Sequence, residues 1–414
     1  MQFDFSDALF ALSNALDCVE HDLLGVSTNH GKRVAAISAG MAKAMDFSDT
    51  ALLDLMGCAV MHDCALTEYV QTEYNGRFAD AAKGELKNFG LHCRIGQKHV
   101  RDIPFYGDVD GVVLYHHERA DGSGPFGKTA EETPLYARLI HIADVLDTHF
   151  DFRYMDAEKQ CHLMAYLRDN CNTQFDADCS ELFLTVFDYA ALERLGSAEL
   201  EQFLKALAPS KMKTCTPQEL MRFASVFATA ADYKSHFTQR HSIGVAEKAY
   251  AMAQFYQVDA ELAAKLYFAG ALHDIGKLVV DNNILEKQDS LTAEEYRKVK
   301  IHAFETYRIL SSIRGLEEIT KWASYHHEKL DGSGYPFGLN GGQLGRWERM
   351  MACLDIYQAL TETRPYKPGL SHKRAIWILT KMAEKGLVDR DITADIGIYF
   401  ANAGIASPTR TLTE

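Results

Sequence analysis

The sequence lacks the features that mark a membrane protein or a disulfide-bonded protein. No apolar run approaches the length of a membrane span, and the N-terminus has no basic region of the kind found in signal peptides. The nine cysteines are odd in number and form no CxxC pair, so we expect neither a disulfide framework nor a cysteine-rich zinc site. These absences predict a cytoplasmic protein with free thiols.

Positive charge is also scarce. The 414 residues include 43 Lys and Arg against 57 Asp and Glu, which gives a formal net charge of −14. This balance argues against a broad surface for a nucleic-acid polymer or an anionic membrane, although a local pocket can still bind a small anion. With 47% hydrophobic and 24% charged residues, the chain has the composition of a soluble globular protein and is long enough for two or three domains.

The chain does contain a pattern of histidines and aspartates that occurs twice. In the second half the pattern consists of His241, His273, Asp274, His302, His326, His327 and Asp355. The same residue types stand about 210 residues earlier at His30, His62, Asp63, His92, His116, His117 and Asp144. A repeat with such constant spacing predicts two related domains, which we place at residues 1–190 (the N-terminal copy) and 216–414 (the C-terminal copy). Residues 191–215 are predicted to be a helical linker.

Helical periodicity dominates both copies. Leu266, Ala269 and His273 fall on one helical face, and Leu55, Ala59 and His62 make the same kind of face in the N-terminal copy. Thr292-Ala-Glu-Glu295 has the pattern of a capping box that begins a helix. Alternating strand patterns are scarce. The sequence therefore predicts an all-α fold in each copy, with several of the histidines facing the interior.

The repeated histidines and aspartates are predicted to bind metal. A lone histidine on an apolar helix face is usually a hydrogen-bonded core residue, but seven such groups together would be costly to bury without a metal. Seven ligands exceed the four of one zinc ion, which predicts two divalent ions that share a carboxylate. Fe or Mn suits histidine and carboxylate ligands best, with Zn and Ni still open. Two ions about 3.5–4 Å apart can hold a hydroxide and a phosphate, which points to phosphoester hydrolysis.

The C-terminal copy resembles the HD-GYP subgroup of HD-domain phosphohydrolases over its whole length. The resemblance rests on His273-Asp274-Ile-Gly-Lys277, His302, His326-His327-Glu-x-x-Asp-Gly-Ser-Gly-Tyr-Pro336, Asp355 and Arg364-Pro-Tyr-Lys367. The N-terminal copy resembles a degenerate form of the same domain. The resemblance implies two tandem all-helical HD-type domains, of which the C-terminal one hydrolyses a cyclic dinucleotide second messenger.

The resemblance also implies roles for individual residues. One metal ion would be held by His241, His273, Asp274 and Asp355, and the other by His302, His326 and His327, with Asp274 bridging the two. Asp274 and Lys277 would be catalytic, because Lys277 would neutralise charge on the reacting phosphate. Substrate contacts would come from Lys277, Tyr335, Arg364 and Lys367. Phe237 stands where some family members have a glutamate that helps to hold a third metal, so we expect two metals.

The N-terminal copy keeps the ligand types but has lost most of the substrate contacts. Leu66 stands where the C-terminal copy has Lys277, and the tyrosine of Gly-Tyr-Pro is deleted, which leaves Gly124-Pro125. Asp156 replaces the second cation, although Arg153 still matches the first. Our hypothesis is that this copy binds metal but hydrolyses the dinucleotide weakly or not at all. The alternative is that its histidines persist only as core residues.

Three functions remain open at the level of the sequence. The leading interpretation is a phosphodiesterase that converts cyclic di-GMP or 3′,3′-cyclic GMP-AMP to a linear 5′-phosphorylated dinucleotide by attack of a hydroxide held by two metals. A second is an HD-type hydrolase of other nucleotides, against which the Gly-Tyr-Pro motif argues. A third is a receptor or scaffold that binds the dinucleotide and passes the signal to a protein partner.

Overall fold

The structure is a computed structural model of the chain. It describes residues 1–24, 28–75, 88, 90–233, 240–285, 287, 289–363 and 368–402. Backbone contacts divide the chain into two compact units. The N-terminal unit comprises Gln2–Cys215 with Ser312–Gly315, and the C-terminal unit comprises Met1, Thr216–Ser311 and the described residues from Leu316 onward.

The N-terminal unit is built almost entirely from helices. Its described α-helices are α1 (Phe5–Leu24), α2 (His30–Ala44), α3 (Asp49–Val60), α4 (Leu66–Tyr74), α5 (Gly90–Val100), α6 (Leu135–Phe150), α7 (Ala157–Asp169), α8 (Ala177–Val186), α9 (Tyr189–Gly196) and α10 (Leu200–Leu207), with a short 3₁₀ helix at Phe152–Tyr154. Side-chain caps begin four of them, where Ser48, Asp156, Asp176 and Asp188 accept a backbone N–H of the first turn.

The C-terminal unit is also helical. Its described α-helices are α11 (Pro217–Tyr233), α12 (His241–Phe255), α13 (Ala260–Leu272), α14 (Asn282–Leu285), α15 (Ala293–Ser311), α16 (Glu317–Ser324), α17 (Arg346–Thr361), α18 (His372–Glu384) and α19 (Arg390–Asn402), with a 3₁₀ helix at Ile275–Val279. The predicted capping box before α15 is confirmed, because Thr292 N–H donates to Glu295 and Glu295 N–H donates to Thr292 Oγ1.

The all-α prediction is confirmed, with one small sheet in addition. Gln2–Asp4 (β1) and Met212–Thr214 (β2) pair antiparallel, with Gln2 opposite Thr214. Strand β2 lies in the predicted linker, and no pattern marks it because three residues are too few to show an alternation. The helical part of that segment, α10 and most of α9, packs into the N-terminal unit through four buried leucines, Leu192, Leu195, Leu200 and Leu204. Among the described residues, no helix has both the length and the apolar character needed to cross a membrane.

Helix packing in each unit brings the repeated histidines and aspartates together. In the N-terminal unit α2 packs against α3 and α6, and in the C-terminal unit α12 packs against α13 and α17. His241 is the first residue of α12, and His273 follows the last residue of α13. Because buried apolar faces hold these helices together, the helix ends that carry the histidines meet in the interior of each unit.

A glycine lets the turn that follows His273 and Asp274 (the His-Asp turn) approach helix α15 closely. A Cβ atom on Gly276 would lie 2.1 Å from the carbonyl oxygen of His302, so that only glycine fits there. The Gly276 N–H donates to Thr306 Oγ1 at 3.1 Å. In the N-terminal unit Ala65 stands at the position of Gly276, and Gly96 stands at the position of Thr306. A Cβ atom on Gly96 would lie 3.7 Å from Ala65 Cβ. The small residue is therefore on the turn in one unit and on the helix in the other.

Candidate metal centres

The C-terminal unit brings all seven predicted ligands into one cluster. His241 begins α12, His273 and Asp274 follow α13, His302 lies in α15, His326 and His327 follow α16, and Asp355 lies in α17. Six of the seven are buried, and the His327 side chain is 28% exposed. The side chains therefore come from five separate segments, which the helix packing holds in place.

Asp274 lies between two groups of histidines. Its Oδ2 atom is 3.2 Å from His273 Nε2 and 3.9 Å from His241 Nε2. Its Oδ1 atom is 3.3 Å from His302 Nε2 and 3.9 Å from His326 Nε2. One carboxylate thus directs one oxygen atom toward each group, which is the arrangement expected of a ligand shared by two ions.

Asp355 completes the cluster. Its Oδ1 atom is 3.0 Å from His241 Nε2 and 3.8 Å from His273 Nε2, and its Oδ2 atom is 3.7 Å from His327 Nδ1. The possible ligand atoms of His241, His273 and Asp355 all lie within 4.8 Å of one another. The same is true of His302, His326 and His327. The C-terminal unit therefore contains two adjacent groups that could each hold a metal ion.

Backbone contacts orient three of the histidine rings. In His273, His302 and His326, Nδ1 lies 2.6–2.7 Å from the carbonyl oxygen of the residue three positions earlier. A proton on Nδ1 donates to that oxygen and leaves the Nε2 lone pair directed at the cluster, as in metal-ligating histidines.

Glu362 orients the fourth histidine. His241 Nδ1 lies 3.2 Å from Glu362 Oε2. The sequence analysis missed Glu362, although it follows Asp355 by seven residues, a spacing that keeps two residues on one side of a helix.

Burial and charge set the protonation of the cluster. Burial lowers the pKa of His302 to about 3 and also lowers the pKa of His326, so both rings are neutral and can act as ligands. Burial would lower the pKa of His241 too, but Asp355 and Glu362 raise it to about 9. His273 Nε2 and Asp274 Oδ1 are buried and have no hydrogen-bond partner. Because unsatisfied buried polar atoms are costly, this donor set fits bound metal ions.

Two of the predicted substrate contacts lie at the cluster. Lys277 Nζ is 2.5 Å from Asp274 Oδ2. Burial would lower the pKa of Lys277, but the Asp274 carboxylate raises it, so the ammonium group stays charged. The ring of Tyr335 is 4.7 Å from the ring of His327, measured between centroids. Arg364 and Lys367 lie outside the described residues, as does Phe237.

A buried glutamate holds the loop that contains Tyr335. Glu328 accepts the backbone N–H groups of Phe337, Gly338 and Leu339 at 2.7–3.1 Å. Glu118 holds the corresponding loop of the N-terminal unit, where it accepts the N–H of Phe126 at 2.6 Å. The sequence analysis assigned no role to these residues, although a glutamate follows the His-His pair in both copies.

The N-terminal unit assembles the equivalent cluster around Asp63. Its Oδ2 atom is 3.6 Å from His62 Nε2, and its Oδ1 atom is 3.3 Å from His92 Nε2 and 3.7 Å from His116 Nε2. His116 Nε2 and Asp63 Oδ1 are buried without a hydrogen-bond partner. Asp63 therefore lies between two groups of histidines in the same way as Asp274.

Asp144 completes the N-terminal cluster. Its Oδ1 atom is 3.2 Å from His30 Nε2, and its Oδ2 atom is 3.7 Å from His117 Nδ1. His30, His62 and Asp144 form one group that could hold a metal ion. All seven predicted residues of this copy are therefore close together as well.

A different carboxylate orients the first histidine of the N-terminal cluster. Asp147 Oδ2 is 2.6 Å from His30 Nδ1. The buried Arg33 guanidinium binds the same carboxylate through two contacts of 2.5 and 2.9 Å. Asp151, which stands at the position of Glu362, instead pairs with Arg153 at 2.8 Å.

A cysteine also faces the N-terminal cluster. Cys93 is fully buried, and its Sγ atom lies 3.5 Å from His92 Nε2. Together with His92, His116 and His117 it forms a second group whose possible ligand atoms lie within 4.8 Å of one another. Burial would raise the pKa of the Cys93 thiol, but His116 and His92 lower it to about 7. The sequence analysis considered cysteines only as CxxC pairs and missed this one.

Comparisons with known proteins agree with the repeat. A family model described as HD domain matches residues 21–179 and 225–392. The chain is 27% identical over 395 residues to a 3′3′-cGAMP-specific phosphodiesterase 1 of Vibrio cholerae, covering 93% of this chain and 89% of that protein. It is 37% identical over 169 residues to a cyclic di-GMP phosphodiesterase of Pseudomonas aeruginosa, covering 39% of this chain and 40% of that protein.

A solved structure has a similar fold over nearly the whole chain. It is the crystal structure of a cyclic GMP-AMP specific phosphodiesterase of V. cholerae, with a TM-score of 0.63 and 22% sequence identity. The similarity covers 97% of this chain and 98% of that chain. At this identity the similarity concerns the fold.

Proposed function

Since the chain belongs to the HD domain family, we propose that its C-terminal copy hydrolyses a cyclic dinucleotide to a linear 5′-phosphorylated dinucleotide. The observation that carries the proposal is the position of Asp274, whose two oxygen atoms lie 3.2 and 3.3 Å from histidines of two different groups. Such a carboxylate suits a pair of metal ions, and a pair of metal ions suits the hydrolysis of a phosphodiester.

The relatives support the substrate class. A relative that matches 93% of the chain is named for its specificity for 3′3′-cGAMP, whereas the cyclic di-GMP phosphodiesterase of P. aeruginosa matches 39%. We therefore propose 3′,3′-cyclic GMP-AMP as the preferred substrate and cyclic di-GMP as the second to test.

The metal ions are proposed to divide between the two groups. His241, His273 and Asp355 would hold one ion, His302, His326 and His327 the other, and Asp274 both. The histidine and carboxylate ligands favour Fe or Mn, with Zn and Ni as alternatives. When bound, the two ions would supply an activated water molecule and positive charge beside the scissile phosphate.

The protein itself supplies charge and position. The Lys277 ammonium group, 2.5 Å from Asp274, would stabilise negative charge that develops on the phosphate oxygens. Tyr335, beside His327, would contact the dinucleotide at the edge of the cluster. By resemblance, Arg364 and Lys367 would bind its phosphates or guanine edges, a task that suits the planar guanidinium of arginine.

The N-terminal copy is proposed to bind metal without efficient hydrolysis. All seven of its proposed ligands match those of the C-terminal copy, but the buried Leu66 provides no charge where Lys277 stands. Its loop also lacks the tyrosine. This copy could thus bind a dinucleotide or a protein partner while the C-terminal copy carries out the reaction.

The test compares the two copies in the full-length protein. Anaerobically purified protein is loaded with Fe(II) or Mn(II) and given each cyclic dinucleotide, and the products are separated by chromatography. We expect linear product from the wild type and from Asp63→Ala, and a loss of at least about 10³-fold in Asp274→Ala. Absence of product with either substrate, despite tight binding, would contradict the proposal and favour a receptor.

A further inference from the structure

The group of possible metal ligands that contains Cys93 has one more member than the corresponding group of the C-terminal unit. Cys93 follows His92 in α5, and its position corresponds to Ala303 in α15. Both side chains are fully buried. The C-terminal group consists of three histidines, His302, His326 and His327, whereas the N-terminal group adds a thiol to its three histidines. The exchange of Ala303 for Cys93 therefore adds a possible thiol ligand to the N-terminal cluster.

The surroundings of Cys93 indicate more than a buried thiol. Among the described residues, Cys93 is the one cysteine that joins a group of possible metal ligands. Its Sγ atom is 3.5 Å from His92 Nε2. His116 Nε2 and Asp63 Oδ1 are buried in the same cluster without a hydrogen-bond partner. These unsatisfied atoms point to a ligand that the thiol would share with the histidines.

We propose that Cys93 is a metal ligand and that His92, Cys93, His116 and His117 form a closed, structural site for a thiophilic ion, zinc above all. The inference rests on the proposed binding of metal by the N-terminal copy. With Cys93 the group reaches four protein ligands without the shared Asp63, and four protein ligands fill a tetrahedral zinc site of the kind that is typically structural. In the C-terminal copy Ala303 supplies no ligand at this position, so only the shared Asp274 joins His302, His326 and His327.

The chemistry of the thiol distinguishes the ions that the two copies would take. Thiolate is a soft ligand that suits zinc, whereas histidine and carboxylate alone suit Fe or Mn. Binding stabilises the thiolate, so any proton still on Cys93 is released to the solvent. A closed zinc site also agrees with the loss of the cation at Leu66, because a structural ion needs no charged group beside a substrate.

Cobalt spectroscopy of the full-length protein tests the ligand directly. The C-terminal cluster is first removed by His273→Ala with Asp274→Ala, so that the N-terminal site alone is observed. This protein is loaded with Co(II) and examined for the near-ultraviolet charge-transfer band of a cobalt–thiolate bond. We expect the band in this background, its loss on adding Cys93→Ala, and at least about tenfold weaker zinc binding. Cys58→Ala, at another fully buried cysteine, is the matched control and should leave the band unchanged.

The outcomes separate this inference from the proposals on which it rests. Metal bound without a thiolate band, and unaffected by Cys93→Ala, overturns the role of Cys93 but keeps the N-terminal metal site. No metal bound in the C-terminal cluster variant overturns both. Cys93→Ala also reproduces the alanine found at position 303, and circular dichroism checks that the variant folds. Hydrolysis by the C-terminal copy is measured separately, in protein with an intact C-terminal cluster. That activity bears neither on the role of Cys93 nor on metal binding by the N-terminal copy.

Discussion

The N-terminal and C-terminal copies share a set of seven histidine and aspartate side chains, but the groups that contact this set differ. In both copies an aspartate, Asp63 or Asp274, directs one oxygen atom toward each of two histidine groups. Beside Asp274 stands the charged Lys277, and at the equivalent position stands the buried Leu66. The two copies therefore arrange the same seven side-chain types alike and differ in the cation that we propose acts on a substrate.

The carboxylates that orient the first histidine also differ. Glu362 contacts His241 from the residue that follows α17, whereas Asp147 contacts His30 from within α6 and is held by Arg33. The N-terminal copy therefore ties its cluster to a buried ion pair. The N-terminal cluster is thus part of the packing of its unit, and we expect a change at Asp147 or Arg33 to affect folding.

The largest effect is expected when the C-terminal copy receives the leucine of the N-terminal copy. Lys277→Leu removes the ammonium group beside Asp274, and we expect kcat for the cyclic dinucleotide to fall by about 10³-fold. The metal content should stay unchanged, because Lys277 is not one of the proposed ligands. Steady-state kinetics and metal analysis measure the two quantities. Leu66→Lys is the reciprocal control and should not add activity. If Lys277→Leu kept an activity within a factor of a few of wild type, the Lys277–Leu66 difference would not explain why only the C-terminal copy is proposed to hydrolyse the substrate.

The next effect concerns the stability of the N-terminal unit. Asp147→Asn leaves the buried Arg33 without its carboxylate partner, and we expect a loss of about 3 kcal/mol in the free energy of unfolding. Urea denaturation followed by circular dichroism measures it. Adding Arg33→Met should recover part of the loss, since it removes the guanidinium that Asp147→Asn leaves without its carboxylate. A single Asp147→Asn variant as stable as the wild type would contradict the role of this ion pair.

The smallest effect concerns metal affinity in the C-terminal copy. Glu362→Gln weakens the contact that orients His241, and we expect about 10-fold to 100-fold weaker metal binding, with hydrolysis restored at high metal concentration. Competition with a metal chelator measures the affinity. Asp151→Asn is the matched control, because Asp151 occupies the same position in the N-terminal copy but pairs with Arg153. Equal losses in the two variants would argue against an orienting role for Glu362.

The sequence predicted the helical fold and the two clusters because periodicity and repetition are visible without a structure. His273 and His302 are far apart in the chain, yet each recurs at a constant offset, and that regularity indicated that they belong together. Cys93, Glu362 and strand β2 were not predicted, since none of them recurs in the other copy. Their importance depends on contacts between distant segments, such as the pairing of β2 with the first residues of the chain.

The exchange of small residues between the two units limits which turn sequences can be swapped between them. If the turn of the N-terminal copy were transferred alone into the C-terminal copy, alanine would replace Gly276, and its Cβ atom would lie 2.1 Å from the His302 carbonyl oxygen. The reverse transfer would place glycine opposite Gly96 and leave a gap instead of a clash. An exchange of turn sequences is therefore expected to be tolerated better in the N-terminal unit than in the C-terminal unit, because a small gap disturbs packing less than a clash with a backbone oxygen atom.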